Sequence, residues 1–226
     1  QEFKSNSNKP KKTNTDDMVD IYTLSVIVFF AILAALIYKN RKTLEIKHYV
    51  VVIKRTERGK KTIDKIARLS PKTWKILSTL GIVGCIFFMV FGVAILFLTA
   101  KSISEQVLKV PALQFILPIP SQQPSSGLGF IGIPFWFWII VIAFVMFPHE
   151  LAHGIISRVE KIKLKSVGLI LLLIFPGAFV EPDERQLKKS KLISRLRIFC
   201  AGSAANFVTV FILGNIASLL IWPAFV

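Results

Sequence analysis

Residues 134–154 read PFWFWIIVIAFVMFPHELAHG, an apolar run without charge from Pro134 to Phe147 that ends in two histidines and a glutamate. A run of this length, continued to Ser157, can cross the hydrocarbon core of a membrane as a helix, which needs about 20 residues. From Pro134 to Pro148 such a helix rises roughly 21 Å, so the ionisable residues would lie in the inner third of the membrane. Ionisable groups at that depth are costly, and they indicate a functional site.

The composition extends this interpretation to the whole chain. Of the 226 residues, 53% are hydrophobic, 19 are Phe, and the mean hydropathy is +0.60, which is too apolar for a soluble domain of this size. We predict a mainly α, polytopic membrane protein with about four transmembrane helices and a short membrane-embedded re-entrant β-hairpin. Because the sequence lacks an initial Met and ends inside an apolar run, we also expect it to be the N-terminal fragment of a longer protein.

Apolar runs and charge define the predicted segments. They are a disordered polar N-terminus (1–18), transmembrane helices at 19–38, 76–98, 134–157 and 199–226, a basic cytoplasmic segment (39–75), an extracytoplasmic Pro-rich loop (99–133), and a cytoplasmic-side segment (158–198) that holds the re-entrant hairpin at 167–180.

Charge sets the predicted orientation. Residues 39–75 contain 13 Lys/Arg and 3 acidic residues, and residues 158–197 contain 10 Lys/Arg and 4 acidic residues. Residues 101–133 contain only 2 Lys/Arg and 1 acidic residue. The positive-inside rule therefore places the first two segments in the cytoplasm and predicts a multi-pass cell-membrane protein whose site faces the cytoplasmic side. The net charge of +16 fits a surface against anionic inner-leaflet lipids. It does not require nucleic acid as a partner, since the aromatic residues lie in the spans.

Four smaller features have structural explanations. Cys85 and Cys200 are predicted to be packing residues in two apolar segments, and His48 is predicted to have a surface or packing role. Within 39–75, we expect two short strands around Glu57-Arg58-Gly59, followed by an amphipathic stretch. The loop at 99–133 contains four prolines and is predicted to be irregular.

The spacing in PHELAHG predicts a metal site. On a helix, His149 and His153 project about 40° apart from one face and are about 6 Å apart along the axis, so both imidazoles can bind one Zn²⁺. Glu150 can then act as general base on water held by the metal. Pro148 removes a backbone donor and can kink the helix just before the site. The alternative is a helix end that emerges among cytoplasmic charges, with its polar residues simply solvated.

Three motifs together resemble the site-2 protease family of intramembrane zinc metalloproteases, in particular the branch of the membrane-bound transcription factor site-2 protease. They are FPHELAHGI (147–155), LLLIFPGAFVEPDE (171–184) and RLRIFCAGSAANF (195–207). The similarity extends from about residue 134 to residue 210 and is weak before that. The order and spacing of three motifs make a chance match improbable.

The resemblance implies roles for individual residues. His149 and His153 would be ligands of Zn²⁺, and Glu150 would activate the water. Asn206, which closes the GxxxN motif at 202–206, would hold a substrate carbonyl or oxyanion. Its alternative is an interhelical hydrogen bond beside small residues.

The hairpin that contains Pro176 and Gly177 corresponds to the family's membrane-embedded sheet. By resemblance, this hairpin would pair with an unwound transmembrane substrate, because a helical peptide bond must be extended before it can be attacked. The alternative is that it only packs beneath the helices.

The sequence departs from the family pattern in one respect. The family completes its metal site with an aspartate from an Asp-Gly pair, and here the only Asp after the HExxH motif is Asp183, which is not expected to replace it. Since catalytic zinc normally has three protein ligands, we predict the third beyond Val226, where many family members first carry a PDZ-like domain.

The predicted function is therefore an intramembrane zinc metalloendopeptidase that cleaves transmembrane segments of membrane-anchored proteins. Two alternatives remain open at this point. One is a non-catalytic membrane scaffold or transporter-like protein with a vestigial HExxH, and the other is a different membrane zincin that uses Glu as its third ligand.

Overall fold

A computed structural model describes residues 15–41, 44–47, 51–105, 114–127, 129–172 and 175–221. His48 and the region beyond residue 221 lie outside the described residues. In chain order the elements are α1 (Thr15–Lys39), β1 (Glu45–Lys47), β2 (Val51–Arg55), α2 (Glu57–Leu69), α3 (Pro71–Ser104), β3 (Phe115–Ile119), β4 (Ser125–Gly127), β5 (Phe130–Pro134), α4 (Phe135–Val159), β6 (Leu164–Leu172), β7 (Phe175–Pro182), α5 (Glu184–Lys189) and α6 (Leu192–Ile221).

Helices α1, α3, α4 and α6 are each long and apolar enough to cross a membrane. The protein is therefore mainly α and polytopic, as predicted. The helices extend further than the predicted spans: α3 begins at Pro71 rather than residue 76, α6 begins at Leu192 rather than residue 199, and α1 begins at Thr15, inside the stretch predicted to be disordered. Hydropathy marks only the apolar part of a helix, whereas the helix itself continues into polar residues until a cap or proline ends it.

The basic segment at 39–75 differs from its prediction. Both of its described strands precede Glu57, and Glu57 begins the helix α2 rather than a turn. The backbone N–H of Thr56, just before this helix, donates to the carbonyl of Val167 at 2.8 Å. On α2 the buried residues Ile63 and Ala67 are four positions apart, so this amphipathic helix packs one face against the protein.

The predicted β-hairpin is present, but its details differ. Strands β6 and β7 are antiparallel, and they join β1 and β2 in one four-stranded sheet of order β1-β2-β6-β7. Pro176 and Gly177 do not form the reversal, because they lie inside β7 opposite Leu171 and Ile170. The strand β7 is the edge strand, where a proline without an N–H is tolerated.

The loop predicted to be irregular also contains a sheet. In it β3 pairs in parallel with β5, and β4 pairs antiparallel with the other side of β5. The prolines do not prevent this sheet, since Pro118 lies in the edge strand β3 and Pro134 is the last residue of β5.

The described core lies where α2, the C-terminal half of α4 and the start of α6 meet. Its central residues, all at most 5% exposed, include Ile63, Ile155, Ile156 and Ile198. Elsewhere the Sγ of Cys85 lies 3.6 Å from the carbonyl of Cys200, which supports packing roles for both cysteines between α3 and α6. The core therefore supports the helix segment that carries PHELAHG.

Candidate metal and catalytic site

His149 and His153 lie on one face of α4, one turn apart. Their ring centroids are 4.8 Å apart, and the ring planes are inclined at 74°. The helix continues through Pro148 to Val159, so the HExxH segment is helical as predicted.

Gly202 on α6 lies directly against both rings. A Cβ atom at this position would be 2.5 Å from Nε2 of His149 and 2.5 Å from Nε2 of His153. Both Nε2 atoms, together with Cδ2 of His149, therefore lie close to one point, which a side chain at position 202 would occupy. Two imidazole nitrogens that converge in this way fit two of the three protein ligands of a catalytic zinc ion.

The ring of His153 is oriented by the backbone of α6. Its Nδ1 lies 2.6 Å from the carbonyl oxygen of Ile198. Because a carbonyl oxygen only accepts, Nδ1 carries the proton, and Nε2 keeps the lone pair that a metal requires.

Glu150 is held by the edge strand of the sheet. The backbone N–H of Val180 donates to its Oε2 at 3.1 Å, and no other hydrogen bond of this carboxylate occurs among the described residues. The structure thus brings β7 and the glutamate of HExxH into direct contact. Sequence reasoning missed Val180 and Ile198 because both act through backbone atoms, which leave no residue signature.

Asn206, which was predicted to hold a substrate carbonyl or oxyanion, lies against the ring of His149. Its Nδ2 is 3.1 Å from Nδ1 of His149, and its Oδ1 is buried without a hydrogen-bond partner in the described part of the chain. Two residues earlier, Ala204 packs against Gly81 of α3, and the helices approach closely there because a Cβ on Gly81 would be 2.8 Å from the Cβ of Ala204.

Asp183 has a structural role and does not join the histidines. It is the N-cap of α5, where its Oδ1 accepts from the N–H of Gln186 at 2.9 Å. This hydrogen bond lowers the pKa of its carboxyl group. Within residues 15–221, apart from the few that the structure does not describe, no group of three His, Cys, Asp or Glu side chains forms a metal site.

Pro176 and Gly177 lie on the wall of an apolar cavity of about 450 Å³, which the side chains of His149, Glu150 and His153 do not line. Its other walls come from α1, α4, β2 and β6. The cavity thus adjoins both the edge strand and the helix that carries the histidines.

An ion pair joins α4 and α6 on the C-terminal side of the HExxH segment. Nη1 of Arg197 on α6 lies 2.9 Å from Oε1 of Glu160 at the end of α4, and their side chains are 19% and 7% exposed. The hydroxyl of Ser194 donates to the other oxygen of Glu160 at 2.5 Å, and Nε of Arg197 donates to Thr79 of α3 at 2.9 Å. This network holds α3, α4 and α6 together, and it was not foreseen from the sequence.

The described residues thus combine apolar helices able to span a membrane, a helical HExxH segment and a hairpin strand in contact with its glutamate. Comparison with known sequences agrees, because residues 137–222 match the family model of Peptidase family M50. Residues 137–222 are thus similar to the M50 family, and the predicted resemblance to the site-2 protease family is confirmed.

Two relatives illustrate the extent of the similarity. An uncharacterised protein of Methanocaldococcus jannaschii is 33% identical over 193 residues, which cover 82% of this chain and 49% of the relative. A membrane-bound transcription factor site-2 protease homolog of Arabidopsis thaliana is 32% identical over 85 residues, which cover 38% of this chain and 16% of the relative. The chain thus spans about half the length of the archaeal relative. No solved structure matches it significantly.

Proposed function

We propose that this chain supplies the HExxH half of the active site of an intramembrane zinc metalloendopeptidase. The observation that carries the proposal is the approach of both histidine Nε2 atoms to Gly202, next to a glutamate that is anchored to an edge strand. The M50 match to residues 137–222 supports the same class of reaction.

His149 and His153 would hold the metal through Nε2. Zinc bound there supplies a Lewis acid that polarises a carbonyl and lowers the pKa of water. The third protein ligand is proposed to come from a part of the protein outside residues 15–221.

Glu150 would act as the general base. The N–H of Val180 fixes Oε2 at 3.1 Å, which leaves Oε1 to accept a proton from the attacking water. The same carboxyl group would then return the proton to the leaving amine. A base anchored by a backbone donor keeps its position without depending on a flexible partner.

The substrate would be an extended transmembrane segment added to β7. Because Val180 N–H points away from β6 and towards Glu150, strand alternation turns the N–H of Ala178 to the same outer edge. Ala178, rather than Gly177, would therefore form the backbone pairs with substrate. Such pairing satisfies the backbone groups of an unwound peptide in lipid.

The proposed site faces the cytoplasm, with anionic lipids as neighbours of the basic segments. The charge distribution between residues 39–75 and 101–133 supports this orientation. In a variant whose Cys85 and Cys200 are replaced by Ser, a cysteine at Arg185 should react with an impermeant thiol reagent only from the cytoplasmic side. Labelling from outside would contradict the orientation.

The test of the catalytic proposal uses the full-length protein and a transmembrane reporter. Glu150→Gln should retain zinc and lose cleavage, whereas His149→Ala should lose both zinc and cleavage. Glu184→Gln is the matched control, because this carboxylate is exposed on α5 and should leave both unchanged. Cleavage by Glu150→Gln at the wild-type rate would refute the role of Glu150. Full zinc content in His149→Ala would refute the metal site.

A further inference from the structure

The side chains of Asn206 and His149 contact each other, and the contact is a hydrogen bond only if one of the two contacting atoms carries a proton and the other accepts it. Their nearest atoms, Nδ2 and Nδ1, are 3.1 Å apart, and both are nitrogens. The contact is a hydrogen bond in only two ways. Either the amide donates to an unprotonated Nδ1, or the amide is turned over and its oxygen accepts from a protonated Nδ1.

The two arrangements have opposite consequences for Nε2 of His149. If Nδ1 accepts, the proton of the neutral ring is on Nε2, and this proton points at the place where the two rings converge. If Nδ1 donates, Nε2 keeps its lone pair. His153 already shows the second pattern, because its Nδ1 can only donate to the carbonyl of Ile198, 2.6 Å away.

The buried amide atom does not decide between the two orientations. Oδ1 of Asn206 is buried without a partner, so turning the amide over only exchanges an unpaired acceptor for an unpaired donor. The tautomer of His149 therefore decides, since both Nε2 atoms converge on Gly202 and a shared cation needs a lone pair on each.

We propose that Asn206 is a positioning residue whose amide oxygen accepts a hydrogen bond from Nδ1–H of His149 and so keeps Nε2 of that ring free to bind the metal. This inference rests on the proposed function. It assigns the amide to a ligand histidine rather than to a substrate carbonyl or oxyanion, because one amide atom contacts the ring and the other is buried. Asn206 on α6 would thus do for His149 what the Ile198 carbonyl does for His153.

Substitutions that separate acceptor from donor test the inference. Asn206→Ala removes both functions, whereas Asn206→Asp keeps an acceptor and removes the donor. Asn215→Ala is the matched control. The Asn215 amide lies on the same helix, but it is exposed and donates to the carbonyl of Phe211 rather than to a histidine.

The readout is the affinity of the detergent-solubilised full-length protein for Zn²⁺, measured by competition with a chromophoric chelator, together with the absorption spectrum of bound Co²⁺. We expect Asn206→Ala to bind Zn²⁺ about 10- to 100-fold more weakly, as is usual when a hydrogen-bond partner of a ligand histidine is lost. Asn206→Asp should bind within a few-fold of wild type with the wild-type Co²⁺ spectrum, and Asn215→Ala should be unchanged.

The outcomes distinguish the inference from the proposed function. Wild-type affinity in Asn206→Ala would overturn the inference alone, as would a loss in Asn206→Asp as large as that in Asn206→Ala, since the amide would then act as a donor. If the wild-type protein bound Zn²⁺ no better than His149→Ala, the metal site itself, and with it the proposed function, would be overturned.

Discussion

The substitution Gly202→Ala tests the convergence of the two histidines most directly. The added Cβ would lie 2.5 Å from Nε2 of each ring, and ordinary van der Waals contact begins at 3.4 Å, so the rings or the helix must move by about 0.9 Å. Overpacking of this kind costs about 1–3 kcal/mol of stability. A displacement near 1 Å at a catalytic group can reduce activity about 100-fold.

Gly214→Ala is the matched control on the same helix, because, its own helix backbone aside, no atom of the described residues lies within 4 Å of the Cβ that it would add. It should retain activity and can gain about 0.5–1 kcal/mol, since alanine favours a helix interior over glycine. The assays are zinc content, reporter cleavage and thermal unfolding of the full-length protein. Wild-type zinc content and cleavage in Gly202→Ala would refute the geometry on which the site rests.

Three further predictions concern the supports of the site. Glu160→Gln should lower the free energy of unfolding in denaturant by about 3 kcal/mol, because it leaves the mostly buried charge of Arg197 without its carboxylate. Glu184→Gln, at an exposed ion pair, should change that free energy by less than about 0.5 kcal/mol, and equal effects would contradict the role of burial. Ala178→Pro removes an edge N–H, so it should reduce reporter cleavage while zinc content stays at the wild-type level; unchanged cleavage would exclude pairing there. Asp183→Ala should speed hydrogen exchange in α5 at neutral pH. Because the pKa of Asp183 is lowered in the folded protein, its carboxylate stabilises α5 fully above the ordinary pKa of 3.8, and this stabilisation is lost as the pH falls through the lowered pKa. The difference in exchange between Asp183→Ala and wild type should therefore vanish at that acid pH. A difference that persists in acid would show that the carboxylate charge is not the cause.

The sequence predicted the parts of this fold that depend on local periodicity. The four long helices follow from mainly apolar stretches of about 20 residues, and the HExxH helix also from the i, i+4 spacing of His149 and His153. The hairpin was predicted from a short apolar segment, and in the structure Pro176 and Gly177 lie within β7 rather than at the reversal. Proline marks a turn in many contexts, and here it lies in an edge strand that needs no donor at that position.

The parts that were missed depend on contacts distant in sequence. The pairing of β2 with β6 joins residues more than 100 positions apart, and neither strand pattern encodes its partner. Glu57 was placed in a turn because Arg58 and Gly59 follow it, although the start of α2 is set by tertiary contact, with Thr56 bonded to Val167. Tertiary packing thus overrides local preference where the local signal is weak.

In the proposed protease, the contact between Glu150 and Val180 would link substrate pairing to catalysis. On the proposed edge of β7, the next outward N–H before Val180 is that of Ala178, about 7 Å along the strand. Since the N–H of Val180 is already bonded to Glu150, the free outward N–H of β7 nearest to that carboxylate would be that of Ala178. The first unpaired part of the substrate would then lie beside the carboxylate, where its peptide bond is extended but no longer covered by a strand partner. The same strand would thereby determine both how the substrate is unwound and which of its bonds Glu150 can reach.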